Sequence, residues 1–288
     1  MITMRIKGGL GNQLFQYAAA YSLAKRLNQP FQFDVAFTNN MTARTYKFSE
    51  LNVDVDTTVS DKLLPKKIRF IKNKYINKLC RVLNLSKHKC EDYLYWIETK
   101  DIWQPDFFTI ETGNLYVDGY FQSEEYFKDF RTDLLKQFTP RYSLEDDYQK
   151  ILFEIKRVNA VAVHVRRGDF KKDNNPFHYL LDEQYYQNAV KYVKKCVNNP
   201  VFFVFSNDMN WVKENIGKSI DFKFVNLKSV HSDVDELMLM KNCNHIIAAN
   251  STFSWWAAWL NEKEEGIKIV PRKKYGMDRM IPENWIKI

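Results

Sequence analysis

Between Ala160 and Pro271 short apolar runs return at regular intervals: AVAVHV, VFFVFS, FKFVN, HIIAAN and IKIVP, with segments of helical character between them. Near-continuous apolar strands alternating with helices mark a parallel sheet covered on both faces, because each crossover lays a helix over one side. The pattern predicts a Rossmann-like unit. Residues 2 to 34 follow the same logic once, as the strand ITMRIK, the turn GGLGNQ, the helical run LFQYAAAYSLAKRLN and the strand PFQFDV. That order is a βαβ unit. From about Phe37 to Tyr142 the alternation is less regular and includes WQPDFF from Trp103 and GYFQSEEYFKDF from Gly119. At 288 residues the chain exceeds the usual domain size. Two α/β lobes, 1–150 and 151–288, are therefore expected.

One apolar stripe falls outside the strand–helix alternation. Leu64, Ile68, Ile71, Tyr75, Leu79 and Val82 stand at i, i+4, i+7, i+11, i+15 and i+18, which predicts an amphipathic helix. Its opposite face is basic. Residues 62–90 hold ten Lys or Arg and no acid, so taking those ten from the chain's net charge of +8 leaves the remainder at −2. The charge is thus local. It fits either a solvated surface or a peripheral contact with anionic lipid headgroups, and no nucleic-acid-binding signature accompanies it.

Composition narrows the class further. Hydrophobic residues make 45% and aromatic residues 15%, a globular profile without fibrous or disordered character. The start, MITMRIKGGLGNQ, has no apolar signal-like core, and nowhere do 18 apolar residues run together. A cytoplasmic protein, possible also at the inner membrane face, is the expectation. Cys80, Cys90, Cys196 and Cys243 lie far apart without a CxxC pair or zinc-ligand spacing, and read as free buried thiols.

Open parallel sheets bind ligands beyond the carboxyl ends of their strands. His164, Arg166, Arg167 and Asp169 follow the first strand of the second lobe; Asn250, Ser251, Thr252, Phe253 and Ser254 follow the fourth. Arginine offers a planar fork of donors that stays charged and matches diphosphate oxygens bidentately. At a departing diphosphate such a group stabilises the transition state more than the ground state. Arg166 is the expected leaving-group residue, with Arg167 and Asp169 holding the loop. NSTFSWWAAWLN passes from small polar residues into an apolar helical run, so Ser251 or Thr252 is expected at a helix N-terminus, where unpaired amides favour phosphate. Trp255, Trp256 and Trp259 read as packing.

Two further motifs admit more than one reading. GGLGNQ with Asp34 at the end of the next strand imitates a dinucleotide fingerprint, but the third glycine position is Leu14, which speaks against a nicotinamide or flavin enzyme. Asp233 and Asp235 form the Asp-x-Asp pattern that elsewhere holds a divalent metal. Ser232 and Asp235 equally suit a capping box, and a carboxylate there suits guanine N–H groups. With Arg166 at the diphosphate no metal is expected. For a catalytic base, Asp34, Glu124, Asp169, Asp173 and His178 are candidates, and none is singled out.

GGLGNQLFQYA, GYFQSEEYF, HVRRGDF and KNCNHIIAANSTFSWWAAWL, in that order and nearly end to end, resemble the bacterial α-1,2-fucosyltransferases of glycosyltransferase family 11. The resemblance implies a GT-B architecture with two Rossmann-like lobes facing across a cleft, an acceptor-side N-terminal lobe and a GDP-sugar-binding C-terminal lobe. It also implies GDP-β-L-fucose as donor, a galactose-terminated glycan or lipid-linked glycan as acceptor, inversion, and no metal cofactor. Carried over, Arg166 meets the β-phosphate, His164 and Asp235 the guanine and ribose, and Ser251 to Ser254 the diphosphate and fucose. Gly9, Gly11, Asn12 and Gln13 of the other lobe approach the fucose.

Overall fold

The computed structural model describes the chain except residues 37–45, 54, 58–63, 101–102, 112, 169, 173–178, 218–219 and 273–279. It divides into two compact units, Met1–Thr139 and Pro140–Ile288.

Unit 1 begins with β1 (Ile2–Arg5), α1 (Leu10–Leu27), β2 (Phe31–Asp34) and β3 (Asp56–Thr57). It continues with α2 (Lys66–Ile71), α3 (Lys74–Val82), β4 (Lys87–Cys90), β5 (Tyr93–Ile97), β6 (Asn114–Asp118) and α4 (Arg131–Gln137). The six strands form one sheet in the order β3-β2-β1-β6-β5-β4, and β4 alone runs antiparallel to its neighbour. α1 starts four residues before the expected LFQYA run, so most of the glycine turn is its first turn. Asn12 is the one residue from Leu10 to Ala24 that is not buried. Such a helix is held by packing on every side rather than by one apolar stripe. Tyr17 is ringed by Phe31, Phe33, Phe48 and Phe138, and Trp96 packs against Phe107 and Phe121.

The expected single basic helix is two helices and a strand. α2 ends at Ile71, Asn73 caps α3 by accepting from Tyr75 N at 3.0 Å, and residues 87–90 pair with β5 as β4. The cap side chain and the recruitment of Lys72 Nζ by Asp34 Oδ2 at 2.5 Å pin the break.

Unit 2 opens with α5 (Asp146–Lys156), β7 (Asn159–Val165), α6 (Glu183–Cys196) and β8 (Pro200–Ser206). Then come α7 (Met209–Trp211), which runs into a single π turn, and β9 (Phe222–Phe224), α8 (Ser232–Asn242) and β10 (His245–Ile247). α9 (Thr252–Leu260), β11 (Lys268–Val270) and β12 (Ile286–Lys287) complete it. All six strands are parallel, in the order β12-β11-β10-β7-β8-β9. The five apolar runs expected as strands are strands. Val161, Val163, Val165, Phe202, Val204 and Ile247 meet Tyr186, Ala189 and Val193 of α6 in the core. Trp255, Trp256 and Trp259 are buried and pack on one another, with Trp255 Nε1 donating to Met280 O at 3.1 Å. Of the cysteines, Cys80, Cys90 and Cys243 are buried but Cys196 is exposed at the end of α6, so the fourth thiol departs from expectation.

Candidate active site

Strand order locates one switch point in each unit. In unit 1 the chain winds from β1 outward through β2 and β3, then crosses to the far edge at β4 and returns inward through β5 to β6 beside β1; in unit 2 it winds from β7 through β8 and β9, then adds β10, β11 and β12. A crevice opens beyond the carboxyl ends where winding reverses. At β1 and β6 those ends lead into Gly8–Gly9 and Gly119–Tyr120; at β7 and β10 they lead into Arg166 and Asn250. All four sequence motifs therefore flank a switch point of their own unit.

In unit 2 the two arginines have separate surroundings. Arg167 Nη1 donates to Leu181 O at 2.8 Å, its guanidinium lies 3.9 Å from the Trp211 ring centre, and its Nε is 3.7 Å from Asp208 Oδ2. Lys171 shares Asp208 at 2.6 Å. Asn207 Oδ1 accepts from Arg167 N at 3.0 Å and Gly168 N at 3.1 Å, fastening the loop to β8. Arg167 is thus committed to loop architecture, with Asp208 as its acid. Arg166 is half-buried at the head of the same loop and interacts electrostatically with Glu236. Asp169, Asp173 and His178 lie outside the described residues.

On the neighbouring strand Ser251 caps α9, its Oγ accepting from Phe253 N at 3.2 Å. Ser251, Thr252 and Phe253 are partly exposed. Ser254 is different: fully buried, its hydroxyl accepts from Ala249 N at 3.1 Å and donates back to loop carbonyls, so it shapes the turn. Asn250 is buried, with a 3.5 Å contact to Tyr179 O. His164, buried on β7, sets its ring 5.4 Å from that of Phe253. The N-terminal end of α9 and the Arg166 loop stand on adjacent parallel strands, so positive dipole and guanidinium share one edge.

α8 supplies the acids. Its start differs from the expected capping box: His231 is the N-cap, Ser232 lies inside the helix, and Ser229 Oγ sets the turn by accepting from His231 N at 3.0 Å. Asp235 is buried within the helix, and Tyr142 donates its hydroxyl to Asp235 Oδ1 at 2.6 Å. The Tyr142 ring also stacks on His231 at 3.9 Å. Oδ2 of Asp235, equally buried, has no hydrogen-bond partner among the described residues. A buried carboxylate oxygen left open is costly unless a ligand completes it. Glu236 is half-buried beside it, and burial, then Asp233 and Asp235, push its carboxyl up to about 7 against the pull of Arg166. Among the described residues no cluster of three acidic, histidine or cysteine side chains has metal-binding geometry.

In unit 1 the glycine that needs its freedom is Gly8, at φ +85, rather than Gly9 or Gly11: a Cβ there would stand 2.5 Å from Asn12 Nδ2. Gly9 is the extended N-cap of α1, and Gly11 lies within the helix. Gln13 is fully buried and structural, donating to Gly8 O at 3.0 Å and accepting from Lys47 N at 3.1 Å. Asn12 stays partly exposed, its Oδ1 accepting from Gln122 Nε2 at 2.8 Å. Asp34 is occupied by Lys72, Tyr116 Oη and Ala36 N, which leaves it ill suited to act as a base. Glu124 is partly exposed in a 3-10 turn.

A buried charge network behind these loops escapes periodicity altogether. Asp118, at the end of β6, meets Lys7 Nζ at 2.5 Å, Arg5 Nη1 at 2.8 Å, Tyr95 Oη at 2.9 Å and Asn77 Nδ2 at 3.0 Å. Burial would raise its pKa, but Lys7, Arg5 and Arg81 outweigh it and hold the carboxyl far below the usual range. Glu98 accepts from Tyr120 N at 2.6 Å and Phe121 N at 3.0 Å, holding Phe121 at φ +55. Gly119 admits this approach, since a Cβ would meet Glu98 Cβ at 2.6 Å. The only sequence signal is a charged residue before a glycine at the carboxyl side of each strand: Lys7 before Gly8, two residues past β1, and Asp118 before Gly119 at the end of β6.

The fold and its motifs have known counterparts. The chain is 32% identical to α-1,2-colitosyltransferase of Escherichia coli over 301 residues, covering 100% of this chain and 99% of that one. It is 30% identical to galactoside α-(1,2)-fucosyltransferase 2 of Rattus norvegicus over 269 residues, covering 90% and 67%. Among solved structures, the fucosyltransferase NodZ from Bradyrhizobium matches with a TM-score of 0.53 at 14% identity, covering 89% and 91%, which agrees with the GT-B type of fold. With the model of "Glycosyl transferase family 11" matching residues 1–288, a parallel Rossmann-like sheet in each half and an arginine at the switch point of the second, the chain belongs to glycosyl transferase family 11.

Proposed function

We propose that this glycosyltransferase moves L-fucose from GDP-β-L-fucose, with inversion, to the 2-hydroxyl of a terminal galactose, forming an α-1,2 linkage. The observation that carries the reading is Arg166 at the unit 2 switch point, beside the N-terminus of α9 and distinct from the committed Arg167. Arg166 takes the β-phosphate and neutralises charge as the diphosphate leaves, which makes a metal unnecessary. His164 and Asp235 hold guanine and ribose, with the open Asp235 Oδ2 accepting from the base. Asn250, Ser251, Thr252 and Phe253 take the diphosphate and fucose, while Ser254 and Arg167 keep their loops in shape. Gly9, Gly11, Asn12 and Gln13 belong to the acceptor-side unit, with the partly exposed Asn12 as the side chain placed to reach a sugar. NodZ, described as an α-1,6-fucosyltransferase, has been solved after soaking with GDP-fucose, and the rat relative is named for galactosides; both support this choice. The reaction is read as cytoplasmic, at the inner face of a membrane, with a glycan or lipid-linked glycan as acceptor.

A second reading is favoured by one observation: the Escherichia coli relative is named for colitose, the 3-deoxy counterpart of fucose. GDP release measured with GDP-fucose and GDP-colitose, on free galactose-terminated oligosaccharides, separates the two. A site that hydrogen-bonds the 3-hydroxyl discriminates by about 10⁴-fold or more. Arg166→Lys keeps the charge and loses the fork, and kcat with GDP-fucose should fall about 10²- to 10³-fold. Turnover within about twofold of the parent sinks the leaving-group role.

A further inference from the structure

The basic segment of unit 1 has no part in the chemistry above, and the break at Asn73 sorts its apolar residues into two sets. Leu64, Ile68 and Ile71 turn inward onto Cys80, Cys90, Tyr95 and Ile97. On α3 the inward positions are Asn77 and Cys80 instead, and Asn77 donates to Asp118. The apolar spacing i, i+4, i+7 on α3 therefore faces out: Tyr75 is 70% exposed, Leu79 52% and Val82 73%. Phe70, Leu83 and Leu85 are exposed next to them in the chain. Thirteen large hydrophobic residues are exposed among those described, and these six fall between 70 and 85. That is a patch rather than the usual scatter.

Charge accompanies the patch. Lys72 and Arg81 are drawn inward to Asp34 and Asp118, whereas Lys66, Lys67, Arg69, Lys74, Lys78, Lys87 and Lys89 are exposed, with no acid between 62 and 90. An apolar crest with lysines at its flanks suits a surface that is anionic at its face and apolar just beneath. A second copy of the chain would bring the same positive charge against it. A polyanion without an apolar layer would leave Tyr75, Leu79 and Val82 uncovered.

We propose that the outward face of α3 and its flanks is a docking surface for an anionic lipid bilayer. Tyr75, Leu79 and Val82 enter the headgroup region while Lys66, Lys67, Lys74 and Lys78 meet lipid phosphates. This names the residues and the lipid chemistry behind the membrane location read above, and it does not depend on which sugar is transferred.

The test is flotation of the full-length protein with vesicles of phosphatidylcholine alone or mixed with phosphatidylglycerol, with transfer to a soluble acceptor measured in parallel. A failed donor reading and a failed lipid reading then register in separate measurements. The expected result is binding to the anionic vesicles only, weakened by salt. Both Tyr75→Ser/Leu79→Ser/Val82→Ser and Lys74→Glu/Lys78→Glu should weaken it by at least about tenfold, with soluble transfer unchanged. The idea is overturned if the parent stays unbound on anionic vesicles, or if both variants float as well as the parent. A parent dimer in light scattering that the triple variant abolishes would also overturn it, since a second copy would then cover the face.

Discussion

If Arg166 holds the donor diphosphate as proposed, its electrostatic interaction with Glu236 makes donor binding depend on pH. Below about pH 7 Glu236 is neutral; above it the carboxylate both pairs with Arg166 and repels the incoming diphosphate. The KM for the nucleotide sugar should therefore rise between pH 6 and 8 as Glu236 titrates. Glu236→Gln should flatten that rise, and a profile unchanged by the substitution removes Glu236 from donor binding. Tyr142 stands behind Asp235, the proposed nucleoside contact. Its hydroxyl fixes Asp235 Oδ1 while its ring stacks on His231. Tyr142→Phe keeps the stack and loses the bond, which should raise donor KM and GDP Kd by about tenfold with kcat little changed, the pattern of lost uniform binding. A fall in kcat alone would contradict this role.

At the scale of elements, the carboxyl edge of unit 1 is organised by charge as much as by packing. β1 ends in Arg5 beside Asp118 at the end of β6, Lys7 follows two residues past β1, and α3 contributes Arg81 and Asn77 to the same carboxylate. Because the folded carboxyl sits far below its unfolded value, its contribution is present above about pH 4 and fades as pH falls below that. Asp118→Asn leaves Lys7 and Arg5 buried without their anion, and should destabilise the protein by about 3–5 kcal/mol in urea unfolding at neutral pH. A cost below about 1 kcal/mol, the scale of an exposed pair, would mean that the network is hydrated. α9 shows the same economy in unit 2. Ser251 and Ser254 close its first turn, which leaves Thr252 and the partly exposed end of the helix toward the Arg166 loop.

Over the whole molecule, the residues that name the chemistry were legible in the chain because local rules fix them. Buried parallel strands need continuous apolar runs and a helix start needs a capping hydroxyl; hence β7 to β11, the Ser251 cap and the place of Arg166 just past β7 could be read in order along the sequence. Tertiary structure alone decided the partners of these residues. That Arg167 turns to Trp211 and Asp208, that Ser254 and Gln13 are interior, and that Gly8 rather than Gly9 or Gly11 takes positive φ depend on partners remote in the chain or on backbone angles that composition does not display. The amphipathic stripe from Leu64 to Val82 marks the limit most clearly. Periodicity specifies which residues are apolar on one face, but only the packing of Ile68 inward and the draw of Asp118 on Asn77 determine that the same stripe is core at one end and surface at the other.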